Sequence, residues 1–219
     1  MDRRTFVNTT LAAGAMAAGL TSTVKAQSNE PVKILGVACS PRKGMTTAGG
    51  IHAALDGARA FSDRIKVEFL DLGGLKFAGW TADGTFEKDD FSELVLPKLT
   101  DPIPAGLIIG SPVYFRNLSS LCMAFLERLA AVRSPRLLLA DTTVGVLSVG
   151  AYRNGGQELV IAQIQAAMLC HRARLVGGQP AAFQGATLWN NWDDDISKDT
   201  FGLESARKLG ARVAEEALK

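Results

Sequence analysis

Ile34-Leu35-Gly36-Val37-Ala38 runs straight into Cys39-Ser40-Pro41-Arg42-Lys43-Gly44-Met45-Thr46-Thr47, and Ile51, Leu55, Ala58 and Phe61 then recur at helical spacing. A short continuous apolar run suits a strand covered on both faces, and the spacing after it predicts a helix. The loop between them opens directly onto that helix, whose start offers unpaired N–H groups and the positive end of a dipole. Ser40, Thr46 and Thr47 add hydroxyls and Arg42 a fixed cation, which together read as a phosphate cradle. The spacing is neither the dinucleotide glycine fingerprint nor a Walker loop. The competing reading is an ordinary turn in which Thr46 caps the helix and Arg42 and Lys43 are merely solvated.

Outward from this unit the pattern repeats. Ile65, Val67 and Phe69 alternate as a second strand. Phe91, Leu94, Val95 and Lys98 suggest a short helix, and Leu107-Ile108-Ile109 a third strand. Leu118, Leu121, Cys122, Phe125, Leu126 and Leu129 form the cleanest helical stripe, followed by a strand from Val144 to Val149. Val160, Ile161, Ile164 and Met168 continue as helix, Leu175-Val176 as a brief fifth strand, and Leu203, Ala206, Val213 and Ala217 as a closing helix. Strands alternating with helices imply a parallel sheet wound on both faces, an α/β three-layer sandwich. Ligands of such sheets bind beyond the carboxyl ends of the strands, where the winding reverses, so the loops after strands one, three and four are where function is expected.

The second of these loops, Gly110-Ser111-Pro112-Val113-Tyr114-Phe115-Arg116-Asn117, puts a rigid Pro and two aromatics at the rim, suited to covering a flat heterocycle. The third, Gly150-Ala151-Tyr152-Arg153-Asn154-Gly155-Gly156-Gln157-Glu158, combines glycines that permit close backbone approach with another aromatic and another Arg. Taken singly, each is also explained by packing and helix entry.

Together and in this order the loops resemble the flavodoxin-like NADPH-dependent FMN reductase family, in particular its iron–sulfur flavoprotein branch. The matching segments are ILGVACSPRKGMTT (34–47), GSPVYFRNLSSLCMAFLERL (110–129) and RNGGQE (153–158), with the closing 199–218 also similar. The resemblance implies a flavodoxin-like five-stranded sheet in the order 2-1-3-4-5 over a domain spanning 31–219. It implies FMN as cofactor, NADPH or NADH as electron donor, and a homodimer or homotetramer. Carried over by position, Ser40, Arg42, Met45, Thr46 and Thr47 would hold the phosphate, Met45 through its N–H alone. Pro112, Val113, Tyr114, Phe115 and Asn117 would line the isoalloxazine, with Gly150, Arg153, Asn154 and Gly155 at its other edge. The iron–sulfur relatives carry cysteines between the second strand and the next helix; Leu75 to Phe91 contains none, so no cluster of that type is expected. The implied activity is reduction of a flavin, quinone or other small acceptor without a catalytic acid or base. The alternative is an electron carrier that docks a redox partner and uses no nicotinamide, with Arg116 and Arg153 at the contact.

The 219 residues are 47% hydrophobic and 21% charged, enough for one buried core, and Lys plus Arg (24) nearly balances Asp plus Glu (22). Nucleic acid is therefore not an expected partner. Met1 to Ala26, with Arg3-Arg4-Thr5-Phe6 ahead of a mild apolar stretch and a small-residue end, resembles a twin-arginine export signal for folded cargo. The alternative, an uncleaved membrane anchor, is disfavoured by a core of marginal length, poor in Leu and Ile. Cleavage removes three of the basic residues and one of the acidic, leaving 21 of each in a neutral periplasmic domain without stable membrane insertion. The two histidines, His52 and His171, fall in helical patterns and are expected to be structural. Among the three cysteines, Cys122 and Cys170 lie on separate helices and a bridge between them is not expected; Cys39 is expected to be unreactive. Trp189 to Asp195 reads first as a solvated acidic turn, with a lid over the flavin or a divalent-metal site as alternatives.

Overall fold

A computed structural model describes residues 30–85, 88–180 and 183–219, and the expected export signal at 1–26 lies outside the described residues. The strands are β1 (Val32–Ala38), β2 (Ile65–Asp71), β3 (Gly106–Pro112), β4 (Thr143–Gly150), β5 (Arg174–Leu175) and β6 (Ala186–Trp189). The helices are α1 (Thr46–Phe61), α2 (Leu96–Thr100), α3 (Ser120–Arg128), α4 (Gln157–Leu169) and α5 (Thr200–Ala217), with a π-helical turn at Phe91–Val95 running into α2. The sheet has the order β2-β1-β3-β4-β5, all pairs parallel, as the alternating pattern requires.

The layers follow from alternation along the buried strands. Leu35, Val37, Leu107 and Ile109 point to the face covered by α2, α3 and α4, whereas Ile34, Ala38, Ile108 and Leu147 point to the face covered by α1 and α5. The central strands β3 and β4 are buried along their whole length, which is why their sequences lack polar alternation. α1 and α5 cross backbone to backbone. A Cβ on Gly210 would stand 1.7 Å from the Ala54 carbonyl oxygen, and one on Gly57 2.0 Å from that of Arg207, so the crossing requires glycine at both places.

The structure departs from the expected five strands at the sheet edge. The fifth position is shared: β5 pairs with Thr143 and Val144 at the start of β4, and after an excursion β6 pairs with Leu147 to Gly150 at its end. The excursion follows the Gly177-Gly178-Gln179-Pro180 breaker, and β6 is too short for its alternation to stand out. No helix of the described residues is long and apolar enough to cross a membrane.

Candidate functional site

Because β1, β3 and β4 are parallel, Ala38, Pro112 and Gly150 end at one edge of the sheet. The chain leaves β1 toward the α1 face and β3 toward the opposite, α3 face, so the winding reverses between them and a crevice opens there.

The first loop is shaped by its own hydrogen bonds. Ser40 Oγ accepts the Arg42 N–H at 3.2 Å, and Asp71, at the end of β2, accepts the Gly44 N–H at 2.7 Å and the Gly73 N–H at 2.9 Å. The cap position of α1 is Met45, which makes no side-chain capping bond; Thr46, the cap on the competing reading, is already inside the helix. Thr46 and Thr47 are buried, and among the described residues no acceptor lies opposite the N–H groups of Thr46, Thr47 or Ala48. A buried helix start with orphaned donors is built to receive an anion, and the donor set here fits a phosphate. Arg42 does not hang free: its Nη1 lies 2.8 Å from Asp194, and that carboxylate pushes the guanidinium further up, with Tyr114 adding to it. Arg42 thus ties the first loop to the second and to the segment after β6.

In the second loop Tyr114 and Asn117 exchange both backbone hydrogen bonds at 2.9 Å around Phe115 (φ 51°) and Arg116 (φ 63°). That is a tight two-residue turn with both central residues left-handed, a costly conformation for Phe. Pro112 is buried as the last residue of β3, Val113 is half-buried and its N–H donates to Val149, and Asn117 Oδ1 accepts from Gln163. Phe115 is fully exposed at the tip of the turn.

The third loop is clamped by Gln157, the buried first residue of α4. Its Oε1 accepts the Gly155 N–H at 2.8 Å, and its Nε2 donates to the carbonyls of Leu188, at 3.0 Å, and Tyr152. Gly156 has φ 108°, and a Cβ there would press on Arg116 at 3.2 Å, so the loop meets the second loop through a residue that only glycine fills easily. Arg153 turns toward β6 and α5: it pairs with the buried Asp199, donates to the Thr187 carbonyl and stands 5.5 Å from the rings of both Trp189 and Phe201. Asn154 is exposed and Gly150 closes β4. A 340 Å³ cleft lies against this loop, lined by Arg116, Arg153, Asn154 and Thr187, and a 540 Å³ cleft lies beside Pro41 of the first loop, lined by Leu75, Phe77 and Leu121.

A fourth loop belongs to the same edge, and the sequence reading missed its part. Residues 190–199 are not a simple solvated turn: Asp194 reaches Arg42, Trp192 meets Tyr152 edge-on at 5.5 Å, and Asp199 accepts the Trp189 and Gly202 N–H groups, capping α5. The available signal was the aromatic and acidic cluster itself, which carries no periodicity.

Asp89 and Arg128 hold the long connection between β2 and the π-helical turn. Arg128, buried on α3, donates Nη2 to Asp89 at 3.0 Å and Nη1 to the Ala78 carbonyl, and its guanidinium lies 4.7 Å from the Phe91 ring. The hydrogen bonds from Arg128 hold the Asp89 carboxyl below its usual range. His171 is buried and its imidazole is held down by burial and by Arg133, while His52 lies against Phe69. Cys39 and Cys122 are buried thiols, that of Cys39 pushed well up by burial, and the exposed Cys170 is bonded to neither.

Fold and site together define a flavodoxin-like protein with an uncapped helix start at its switch point. Similarity to known proteins narrows this: the model of the NADPH-dependent FMN reductase family matches residues 32–187, and the chain belongs to that family. An iron-sulfur flavoprotein of Methanocaldococcus jannaschii is 32% identical over 192 residues, covering 84% of this chain and 96% of that one. Among solved structures, a flavone reductase matches with a TM-score of 0.63 and 19% identity, over 85% of this chain and 63% of its own length. A flavodoxin-like WrbA-like protein from Agrobacterium tumefaciens matches with a TM-score of 0.57 and 18% identity, over 86% of this chain and 98% of its own. The protein is accordingly an FMN reductase-like oxidoreductase. The iron–sulfur donor set of the relatives' name does not fit this chain. The connection from Leu72 to Phe91 has no cysteine, and no group of three or more His, Cys, Asp or Glu among the described residues is placed to hold a metal.

Proposed function

We propose that the protein binds FMN with its phosphate at the start of α1 and its ring between the second and third loops, and passes electrons from NADPH or NADH to a small acceptor such as a flavin or quinone. The observation that carries this reading is the uncapped, buried helix start at the point where the winding reverses. The N–H groups of Thr46 and Thr47 would take the phosphate oxygens, with Ser40, Met45 and Arg42 around them. Pro112, Val113 and Tyr114 form the wall on one side of the ring, and Gly150, Asn154 and Gly155 the edge on the other. Asn117 braces the second loop through Gln163, and Gln157 and Arg153 brace the third. Phe115, fully exposed at the tip of the second loop, would extend that wall over the ring.

FMN, when bound, supplies two-electron transfer at its ring; the chain orients the ring, leaves one side open to donor and acceptor, and aims backbone N–H groups at the side where negative charge gathers. No side chain is needed to move a proton. The segment 1–26 is inferred to export the folded protein by the twin-arginine route to the periplasm, on the strength of Arg3-Arg4-Thr5-Phe6. Anaerobic addition of NADPH or NADH to FMN-loaded protein is expected to bleach the visible flavin absorbance. Absence of bleaching with both defeats the nicotinamide reading and leaves partner-fed electron transfer, which fast exchange with a redox protein would register.

A further inference from the structure

We infer that Asp194 sets the protein's discrimination between phosphorylated and unphosphorylated flavin, by competing with the cofactor's phosphate for Arg42. The inference rests on the phosphate reading given above. Arg42 is the guanidinium of the cradle loop, and its Nη1 lies 2.8 Å from each carboxylate oxygen of Asp194. A phosphate arriving at the start of α1 meets that carboxylate across the same cation. Like charges sharing one guanidinium weaken each other's hold, so an ionised Asp194 disfavours a phosphate dianion and leaves neutral riboflavin unaffected.

The loop that presents Asp194 is held in a costly shape. Asn191 (φ 50°), Trp192 (φ 64°) and Asp194 (φ 51°) all lie in the left-handed region although none is glycine. Within the loop the Trp192 N–H donates to Asn190 Oδ1 at 3.2 Å and Asn190 Nδ2 reaches Asp194 at 3.4 Å, while Trp192 against Tyr152 and Asp194 on Arg42 tie it to the third and first loops. A phosphate that captures Arg42 leaves Asp194 with only the long hydrogen bond from Asn190 within its own loop. The neighbouring carboxylates do not share this position. Asp193 pairs with Lys198 at 3.2 Å and Asp195 accepts from Ser197 at 2.7 Å, both within the loop's own exposed turn.

The test is titration of flavin-free full-length protein with FMN and with riboflavin, read by quenching of flavin fluorescence. Asp194→Asn is expected to tighten FMN about two- to fivefold and to leave riboflavin unchanged, the scale of a partly exposed ion pair. Asp195→Asn, the same charge change on the same loop, is expected to move neither ligand. In Arg42→Met the further change Asp194→Asn is expected to bring no gain. Weaker FMN binding in Asp194→Asn, or an equal shift for both flavins, overturns the competition and makes Asp194 a loop-packing residue. A wild-type protein that does not prefer FMN to riboflavin overturns the phosphate reading itself, and this inference with it.

Discussion

Replacing Asp199 by alanine is expected to loosen the edge of the sheet that carries the third and fourth loops. The side chain is 1% exposed and serves three partners: the Gly202 N–H at the start of α5, the Trp189 N–H at the end of β6, and the Arg153 guanidinium. Loss of the cap costs about 1 kcal/mol, and an orphaned Trp189 N–H about 1–3 kcal/mol. The Arg153 side chain is 38% exposed, so water replaces much of what the carboxylate gave it and its share is below about 1 kcal/mol. Together these come to about 3 kcal/mol, which in a domain of this size lowers Tm by about 6–12 °C. Asparagine keeps one of the two oxygens and so can serve the Gly202 or the Trp189 N–H but not both; about half the loss is expected. Thermal unfolding of flavin-free protein, followed by circular dichroism, measures both variants. A Tm within about 2 °C of wild type for Asp199→Ala would show that Arg153 and the two N–H groups find water or other partners, and the anchor role would be wrong.

Three further outcomes follow from the same geometry. Met45→Asp supplies the cap that α1 lacks, so thermal melts should show the flavin-free protein stabilised by about 1 kcal/mol, while FMN titration shows weakened binding because the new carboxylate occupies the orphaned N–H groups. Gly210→Ala drives a methyl group into the Ala54 carbonyl and is expected to cost at least about 1–3 kcal/mol by urea unfolding, with Gly57→Ala similar. Asp89 is held below its unfolded value by Arg128, so its contribution is fully present above about pH 4 and is lost as pH falls further through the folded value. Acid titration of stability should therefore show a loss below about pH 4 that is smaller in Asp89→Asn by the Asp89 contribution, Glu68 and the other carboxylates held low supplying the rest.

Most of the architecture was readable because buried parallel strands write themselves as uninterrupted apolar runs, as in Leu107-Ile108-Ile109, and α3 as a clean stripe from Leu118 to Leu129. The three loops followed from topology, since the ends of β1, β3 and β4 must share an edge. What stayed hidden depends on contacts between distant segments. β6 is recognisable only once β4 has an open half to pair with, and Asp194 and Asp199 act through Arg42 and Arg153, more than forty positions away in sequence. Arg153 reads as a rim-loop residue among glycines, but its pairing with Asp199 depends on a segment far along the chain. Thr46 is the residue type suited to cap the helix, but the helix begins with it and leaves the cap position to Met45, whose thioether is a weak acceptor and makes no capping bond. That mismatch between residue type and position is the local inconsistency expected where function overrides stability.

The most direct test of the central claim is the binding of FMN and riboflavin to flavin-free wild-type protein, measured side by side by fluorescence quenching. A phosphate seated on the orphaned N–H groups of α1 with charge-assisted hydrogen bonds predicts that FMN binds about a hundredfold or more tightly than riboflavin. Equal affinity for the two, or quenching by neither, contradicts it.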